Sequence, residues 1–190
     1  MNGRVLGLIG IGRIGTAVAL RAKAFNLKVI YYDPYVEHGR LKSLGLDGQV
    51  YSLDELLEQS DIVSVHCPLN HNGVSNKHLL NKNNIHKMKK GAALINTARG
   101  PIVEEEAVLE GLQSGILSAV ALDVFEKEPY TSGPLLEHPN VIVTPHSAFY
   151  SDQGLVEMRT KAALEAKRVL QGEEPLYWVN KTQWLQYNKQ

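Results

Sequence analysis

The sequence predicts an α/β fold with a doubly wound parallel sheet, and two observations carry this prediction. Short runs of β-branched and aliphatic residues alternate along the chain with segments of helical periodicity, which is typical of a parallel sheet with right-handed crossovers. The runs are apolar almost throughout, as expected for strands that are covered on both faces. The 190 residues suffice for one such domain with a small appendage.

Six apolar runs are predicted to be the strands of this sheet. They are Val5–Ile9, Lys28–Tyr32, residues 62–66, Ala92–Asn96, residues 119–122 and residues 141–144. Ligands of open α/β sheets bind outside the carboxyl ends of the strands. The residues that directly follow each run are therefore the first candidates for a functional site.

Four segments are predicted to be helices. Residues 14–25 place Ile14, Ala17, Val18, Ala22 and Phe25 on one stripe. A capping box formed by Ser52 and Glu55 predicts a helix that runs to about Gln59. Residues 104–114 open with an acidic run that suits a helix N-terminus, and a long helix is predicted from about residue 152 to 171.

The remaining segments suggest the domain organisation. Residues 70–84 are polar and rich in asparagine, and are predicted to form a loop with a short helix. Gly172 is a plausible stop for the long helix, and no period is seen beyond it. We expect a ligand-binding domain in residues 1–150, the long helix in residues 151–172 and a tail in residues 173–190.

Composition excludes several classes of protein. Lys and Arg total 20 and Asp and Glu total 20, so a zero net charge gives no electrostatic case for nucleic acid or a membrane surface. No apolar run approaches the ~18–20 residues of a membrane helix. Cys67 is the only cysteine, so no intrachain disulfide is possible. These features favour a cytoplasmic location, with the nucleus left open.

A glycine motif follows the first predicted strand and opens the first predicted helix. Gly10, Gly12 and Gly15 fit the pattern G-x-G-x-x-G within a βαβ unit, the context that makes this pattern specific. Gly10 allows the tight turn, Gly12 lets the backbone approach a pyrophosphate, and Gly15 lets the helix pack on the strand. The sequence therefore predicts a Rossmann-type dinucleotide site, to which Arg13 could add a charge-assisted contact.

Asp33 lies at the end of the second strand, 18 residues after Gly15. An acidic residue there accepts hydrogen bonds from the ribose 2′-OH and repels a 2′-phosphate, which favours NAD over NADP. The alternative is a glycine-rich turn followed by an unrelated aspartate.

An arginine, carboxylates and a histidine follow the later predicted strands, so they are expected at the carboxyl edge of the sheet. Arg99 can bind a substrate carboxylate with two hydrogen bonds. His146 can exchange a proton with the substrate oxygen, and Glu128 could orient it. Asp123 is predicted to meet the nicotinamide end of the cofactor. These residue types predict hydride transfer with a small 2-hydroxy or 2-oxo acid.

Other interpretations of these residues remain open. Taken singly, Arg99 could be a surface residue, residues 126–128 a solvated charge run and His146 a turn residue. A metal site at His66, Cys67, His71 and His78 is disfavoured because their spacing fits no tight zinc pattern. We therefore expect no metal.

The chain resembles the D-2-hydroxyacid dehydrogenase family. The resemblance is carried, in the family's order, by the glycine motif and by residues 96–100 (NTARG), 121–129 (ALDVFEKEP) and 144–146 (TPH). It implies a catalytic trio of Arg99, Glu128 and His146, with Asp123 at the nicotinamide and Asp33 at the adenosine ribose. The full set expected to bind NAD is Gly10, Gly12, Arg13, Ile14, Gly15, Asp33, His66, Cys67, Pro68, Asn70, Thr97, Ala98, Arg99, Asp123 and His146.

Within this family the sequence is most similar to the C-terminal-binding protein corepressors. Residues 19–25 and 32–35, His66 with Cys67, Leu69 with Asn70, and Tyr150 with Ser151 carry that likeness. It implies a homodimer formed through the NAD-binding domain and a role in transcriptional repression. Two alternative functions are therefore expected: a dehydrogenase, or an NAD(H)-gated corepressor module with little turnover.

The sequence also departs from the family pattern. Phe149 stands where the corepressors have tryptophan, and Pro101 where a second glycine is usual. The substrate domain that family members carry before the first strand is largely absent from this chain, so a fragment or truncated product is expected. With one lobe we expect cofactor binding to survive and turnover to be weakened. The apolar face of the long helix is expected to pack on a partner subunit or on the same domain.

Overall fold

In the computed structural model, which describes residues 2–181 and 184–185, the chain divides into two compact units, residues 1–148 and residues 149–190. The six strands of the main sheet are β1 (Val5–Ile9), β2 (Lys28–Tyr32), β3 (Ile62–Val65), β6 (Ala92–Asn96), β7 (Leu117–Leu122) and β8 (Val141–Val143). This sheet belongs to the first unit, and its strands lie in the order β2-β1-β3-β6-β7-β8. Every pairing in it is parallel, so the predicted fold class is confirmed.

The strand order reverses direction at β1. The chain passes from β1 to β2 on one side and then crosses back, so that β3 lies on the other side of β1. Such a switch point opens a crevice at the carboxyl ends of the central strands, because the connections on either side leave in opposite directions. The glycine motif, which directly follows β1, therefore lies at the crevice.

Four helices belong to the first unit: α1 (Arg13–Ala24), α2 (Leu53–Gln59), α3 (Glu105–Gln113) and the short α4 (Pro134–Glu137). The capping box at α2 is confirmed, since Ser52 Oγ accepts a hydrogen bond from Glu55 N at 3.1 Å. Glu55 in turn accepts the N–H of Tyr51 at 2.9 Å, one residue before the N-cap. The bond to Ser52 satisfies a backbone donor that the first turn of the helix leaves free, and the bond to Tyr51 ties the preceding residue to the helix.

The predicted apolar stripe of α1 is wrong at both ends. The helix buries Gly15, Ala19 and Ala22, whereas Ile14 and Phe25 are 68% and 67% exposed. The small residues face the sheet because Gly15 packs directly against the backbone of Gly10, where a larger side chain has no room. Close approach of helix to sheet, rather than apolar bulk, decides which face is buried.

The segment predicted as a loop with a short helix begins with a β-hairpin, which the prediction missed. Strands β4 (Asn70–His71) and β5 (Val74–Ser75) pair in antiparallel fashion. The two turn residues, Asn72 and Gly73, have φ of 49° and 80°, which is the left-handed backbone of a two-residue hairpin turn. A short 3₁₀ helix, Ile85–Lys87, follows just beyond the segment. The Asn-Gly pair was the available signal for this hairpin.

Buried side chains form two clusters that hold the sheet rigid. The smaller includes Leu8, Tyr31 and Ala19 of α1, and the larger includes Leu94 together with side chains of α2 and α3. The sheet is thus covered by apolar groups from more than one layer, as its continuous apolar strands predict. Loops at the strand ends are consequently anchored on a stiff support.

The second unit contains α5 (Asp152–Leu170). Its N-cap Ser151 accepts the N–H of Gly154 at 3.0 Å, and the predicted stop at Gly172 is confirmed by a φ of 76° just past the helix end. In the tail, the rings of Trp178 and Trp184 lie 5.2 Å apart. Residues 182–183 and 186–190 of the predicted tail lie outside the described residues, and within the described part no helix has the length and apolarity to cross a membrane.

Candidate functional site

The three glycines of the motif have different physical reasons: two are required by the packing of the fold, and one leaves room for a ligand. A Cβ at Gly10 would lie 2.8 Å from the backbone nitrogen of Cys67, and Gly10 has a φ of 91°. A Cβ at Gly15 would lie 2.3 Å from the carbonyl oxygen of Gly10, so both positions need glycine for packing. A Cβ at Gly12 would meet no protein atom within 4 Å. The open space before Gly12 is what a group approaching the backbone would fill.

The N-terminus of α1 faces the same turn. Its N-cap is Gly12, which offers no side chain, and its first turn contains no acidic residue. The first N–H groups of a helix lack intrahelical acceptors and carry partial positive charge, so they attract anions. Arg13 and Ile14, the first two residues of this helix, are both exposed. This end of α1 is therefore suited to a phosphate group.

Asp33 is held in place at the edge of the crevice. Its Oδ2 accepts the N–H of Ile11 at 3.0 Å, which ties it to the glycine turn, and its Oδ1 accepts the N–H of Tyr35 at 3.0 Å. Each oxygen retains a lone pair, since a carboxylate has about four acceptor sites. Asp33 can therefore accept further hydrogen bonds from a ribose.

Two neighbouring clefts run along the carboxyl edge of the sheet and share His66, Cys67 and Pro68. The first, of about 590 Å³, is also lined by the sequence-predicted residues Gly10, Gly12 and Asp33. The second, of about 570 Å³, is also lined by the sequence-predicted residues Ile14, Asn70, Thr97, Ala98 and Arg99. The structure thus brings most of the predicted cofactor set to one continuous trough.

Burial favours the neutral form of the two titratable side chains, His66 and Cys67, that these clefts share. Burial lowers the pKa of His66, whose Nε2 lies 2.9 Å from Ser64 Oγ. Burial raises the pKa of the Cys67 thiol to about 11, and the charge of Asp33 adds to this. Among the described residues, no group of three His, Cys, Asp or Glu side chains could hold a metal ion. Neither side chain adds positive charge to the clefts, which comes instead from the N-terminus of α1 and from Arg99 in the second cleft.

His146 and Glu128 form a hydrogen-bonded pair at the far end of the edge. His146 Nδ1 and Glu128 Oε2 lie 2.8 Å apart, and Glu128 Oε1 accepts the N–H of Phe125 at 3.0 Å. The bond with His146 and then that with Phe125 lower the pKa of Glu128, which keeps it ionised. Both side chains are partly exposed, so the pair can meet a ligand. The peptide bond between Glu128 and Pro129 is cis.

The carboxylate of Asp123 accepts hydrogen bonds from the loop that carries His146. It is 4% exposed and accepts hydrogen bonds from Thr144 Oγ1, Ser147 N and Ala148 N at 2.5, 2.7 and 2.9 Å. Burial alone would raise its pKa, but these bonds and the nearby His146 lower it. The structure thus gives Asp123 a role in holding the loop, which the sequence did not predict.

Arg99 and His146 line separate cavities. Arg99 is exposed and lines the second cleft, with Nη1 donating to the carbonyl of Ala98 at 2.6 Å. His146, Glu128 and Asp123 line a third cavity of about 530 Å³, whose other walls include Tyr130 and several apolar side chains. The predicted cofactor residues thus fall into two groups, with Asp123 and His146 apart from the trough.

Several site residues were missed by sequence reasoning. The first cleft is also lined by Tyr32, Tyr35, Val36, His71, Val74, Asn76 and Leu79. The rings of Tyr35 and His71 lie 4.4 Å apart, so the hairpin contacts the segment after β2. Recognising the Asn-Gly turn would have placed His71, which the sequence suggested only as a metal ligand, at the cofactor cleft. Glu126 is likewise no solvated charge, because its carboxylate lies 2.9 Å from His78 Nε2.

The residues of the trough fit a dinucleotide. An open approach at Gly12, the helix N-terminus behind it and Asp33 at the far side match a pyrophosphate and a ribose in turn. Apolar walls formed by Val36, Val74 and Leu79 suit a flat base. The chain's own residues therefore provide a place for each part of the adenosine half of NAD(H).

Comparisons with known proteins agree with this fit. Residues 1–148 match the family described as D-isomer specific 2-hydroxyacid dehydrogenase, NAD binding domain. The chain is 41% identical over 172 residues to D-3-phosphoglycerate dehydrogenase of Bacillus subtilis, covering 90% of this chain and 32% of that protein. It is 37% identical over 178 residues to C-terminal-binding protein 1 of Caenorhabditis elegans, covering 92% of this chain and 24% of that protein.

Solved structures give the same result. A glyoxylate reductase from Paecilomyes thermophila superposes with a TM-score of 0.84 at 34% identity, covering 95% of this chain and 53% of that one. The chain thus spans a third or less of the two curated relatives and about half of this structural neighbour.

Proposed function

This chain belongs to the D-isomer specific 2-hydroxyacid dehydrogenase family, of which it contains the NAD binding domain, and we propose that it serves hydride transfer between NAD(H) and a small 2-hydroxy or 2-oxo acid. NADH, when bound, supplies the hydride. The chain supplies recognition of the substrate's charge, a proton and a fixed arrangement of both. In the reducing direction, the substrate C2 carbon gains a hydride and its oxygen gains a proton.

The proposal assigns substrate binding to Arg99 and proton exchange to His146. A guanidinium binds a carboxylate through two parallel N–H···O bonds, and the exposed side chain of Arg99 is available at the cleft. His146 gives a proton from Nε2 to the substrate oxygen, and takes it back in the reverse direction. Glu128 accepts the hydrogen bond from Nδ1, which fixes the ring's tautomer, and the proposal assigns the proton exchange to Nε2.

The contact between His146 and Glu128 is the single observation that carries the proposal. A domain that only senses NAD(H) needs no acid–base pair. The backbone of His146 has a φ of 51°, uncommon for a residue other than glycine, and its N–H donates to Asp123 O at 2.9 Å and Thr144 O at 3.0 Å. A strained backbone fixed by its surroundings is common where a side chain must point at a reacting group.

The test is oxidation of NADH by the full chain with glyoxylate, pyruvate and phenylglyoxylate in turn. His146→Gln should lower the turnover rate roughly 10²- to 10⁴-fold, the usual contribution of a general acid, and leave the dissociation constant of NADH unchanged. His86→Gln is the matched control, because His86 is exposed and lies on the 3₁₀ helix Ile85–Lys87. Absence of NADH oxidation with every 2-oxo acid, despite NADH binding, would refute the dehydrogenase proposal for this chain.

The likeness to C-terminal-binding protein 1 favours a second function, an NAD(H)-dependent assembly module. In that case NADH binding would promote a homodimer through this domain, and the nucleus would replace the cytoplasm as its place of action. Sedimentation with and without NADH distinguishes the two. Dimerisation that depends on NADH, in a chain that oxidises none, favours assembly; turnover by a chain whose mass does not respond to NADH favours the dehydrogenase.

A further inference from the structure

Glu126 connects the two loops to which the proposed reaction assigns its chemistry. It lies in the segment after β7, between Asp123 and Glu128, and its side chain is 30% exposed. We propose that Glu126 is a positioning residue, which holds the turn carrying Arg99 at a fixed distance from the loop that carries Glu128, the hydrogen-bond partner of His146. This inference rests on the proposed function, because it concerns the same site.

The first anchor of Glu126 is the N-terminus of α3. Its Oε1 accepts the N–H of Glu105 at 3.0 Å, and its own N–H donates to Glu105 Oε1 at 2.6 Å. This reciprocal pair satisfies a backbone donor that the first turn of α3 would otherwise leave free. Burial, and then the charge of Glu126, raise the pKa of Glu105, whereas the pKa of Glu126 is lowered.

The second anchor is His78, from the segment after the hairpin. Glu126 Oε2 lies 2.9 Å from His78 Nε2, while the backbone N–H of His78 donates to the carbonyl of Pro101 at 2.8 Å. Pro101 belongs to the short turn that begins at Arg99, in which Ile102 N donates to Arg99 O at 3.2 Å. Glu126 therefore holds the Arg99 turn from its far side, through one intervening residue.

The third link is a direct contact of backbones. A Cβ at Gly100 would lie 1.9 Å from the carbonyl carbon and oxygen of Phe125, so the residue after Arg99 is pressed against the peptide that joins Phe125 to Glu126. The N–H of Phe125 donates to Glu128, which in turn binds His146. A movement of this one peptide would reach the Arg99 turn and the His146 pair together.

The charges around Glu126 suit a role that depends on its ionised form. Burial alone would raise its pKa, but hydrogen bonds from the Glu105 N–H and His78, and electrostatic interactions with His78 and Lys77, lower it. Glu126→Gln keeps an oxygen for the N–H of Glu105 and the shape of the side chain. Glu126→Ala leaves that N–H and His78 without an acceptor. The two variants therefore separate shape from loss of the anchor.

The experiment measures binding of oxamate, an isostere of a small 2-oxo acid, to the full chain saturated with NADH. Glu126→Ala should weaken oxamate binding roughly tenfold or more, because a displaced Arg99 no longer aligns with the carboxylate of oxamate. The dissociation constant of NADH should change much less than that of oxamate, since the contacts of Glu126 lie away from the glycine turn. Glu126→Gln should recover most of the oxamate affinity. Glu106→Ala is the matched control, as this glutamate of α3 is 73% exposed and pairs with Lys82.

Amide hydrogen exchange gives a second readout that needs neither turnover nor oxamate. Glu126→Ala should accelerate exchange in residues 99–103 and 125–128 while the strands of the sheet keep their protection. Unchanged exchange in residues 99–103 overturns the proposal, and so does a uniform loss of protection across the sheet, which would denote a merely structural role. A wild-type chain that binds NADH but not oxamate contradicts the proposed function alone, because exchange still decides whether Glu126 positions the two loops.

Discussion

Replacing Gly12 by alanine tests the pyrophosphate site while sparing the fold. Gly12 has φ −67° and ψ −161°, a conformation that alanine adopts, and a Cβ there meets nothing within 4 Å. The same change at Gly10 or Gly15 forces a Cβ to within 2.8 or 2.3 Å of backbone atoms. Gly12→Ala should therefore fold normally, whereas Gly10→Ala and Gly15→Ala should not.

Two small effects of opposite sign act on the stability of Gly12→Ala. Reduced freedom of the unfolded chain stabilises by about 0.4–1 kcal/mol. Alanine is a poorer N-cap than glycine, which costs about 0.5–1 kcal/mol. The free energy of unfolding should hence change by less than about 1 kcal/mol. At Gly10, by contrast, left-handed strain of about 1–2 kcal/mol adds to overpacking of about 1–3 kcal/mol.

Binding should respond much more strongly than stability. The new methyl group occupies the space through which a pyrophosphate approaches the backbone, and losing one hydrogen bond to a charged oxygen costs about 1.5–3 kcal/mol. The dissociation constant of NADH should rise roughly 10- to 150-fold. Calorimetric titration with NADH, beside urea unfolding of the same samples, measures both quantities. Wild-type affinity in a stably folded Gly12→Ala variant would refute the pyrophosphate assignment, and failure of that variant to fold would refute the packing argument.

Two further substitutions and one chemical modification test other parts of the site. Asp33→Ser should improve the affinity for NADPH relative to NADH roughly tenfold or more, because a 2′-phosphate no longer meets a carboxylate; competition titrations measure this ratio. Asp123→Asn should lower the free energy of unfolding by roughly 2–4 kcal/mol at neutral pH, since an amide oxygen cannot replace both carboxylate oxygens. Asp123 has a lowered pKa, so its contribution exists above the unfolded pKa and is lost as the pH falls through the folded one; urea unfolding across acidic pH should show a shallower loss in the variant. Cys67, with a pKa of about 11, should react with iodoacetamide at neutral pH roughly a hundredfold more slowly than a free thiol.

For each of these tests, one outcome would contradict the prediction. The exposed Asp47→Ser is the control for Asp33→Ser, and an equal nucleotide preference in both variants would exclude a ribose contact at Asp33. Wild-type acid sensitivity in Asp123→Asn would mean that other carboxylates govern the acid limb. Rapid alkylation of Cys67 at neutral pH would contradict its burial in the cleft wall.

The sequence predicted those parts of the site that depend on local chemistry. A glycine motif between a strand and a helix has few physical explanations, and Asp33 follows the next strand at the required distance. The carboxyl edge of a parallel sheet gathers the residues that follow its strands, and for this reason Arg99 and His146 could be named from the sequence alone.

Contacts between residues far apart in the chain could not be predicted from the sequence. The burial of Gly15 and Ala19 in place of Ile14 depends on how closely α1 approaches the sheet, which periodicity does not encode. The hydrogen bonds of Asp123 come from residues 144, 147 and 148, more than twenty positions away. Glu126 resembles part of a charge run until the contacts with His78 and Glu105 are known. These features depend on long-range contacts, whereas the glycine motif depends on neighbours.

Titration of the isotope-labelled chain with NADH, followed by amide NMR, tests most directly whether a dinucleotide lies along the trough. We predict that saturation shifts the resonances of Gly10 and Gly12 at one end and of Thr97, Ala98 and Arg99 at the other, with the same apparent affinity. No shift at millimolar NADH, or shifts confined to residues 161–177 of the second unit, would contradict this prediction.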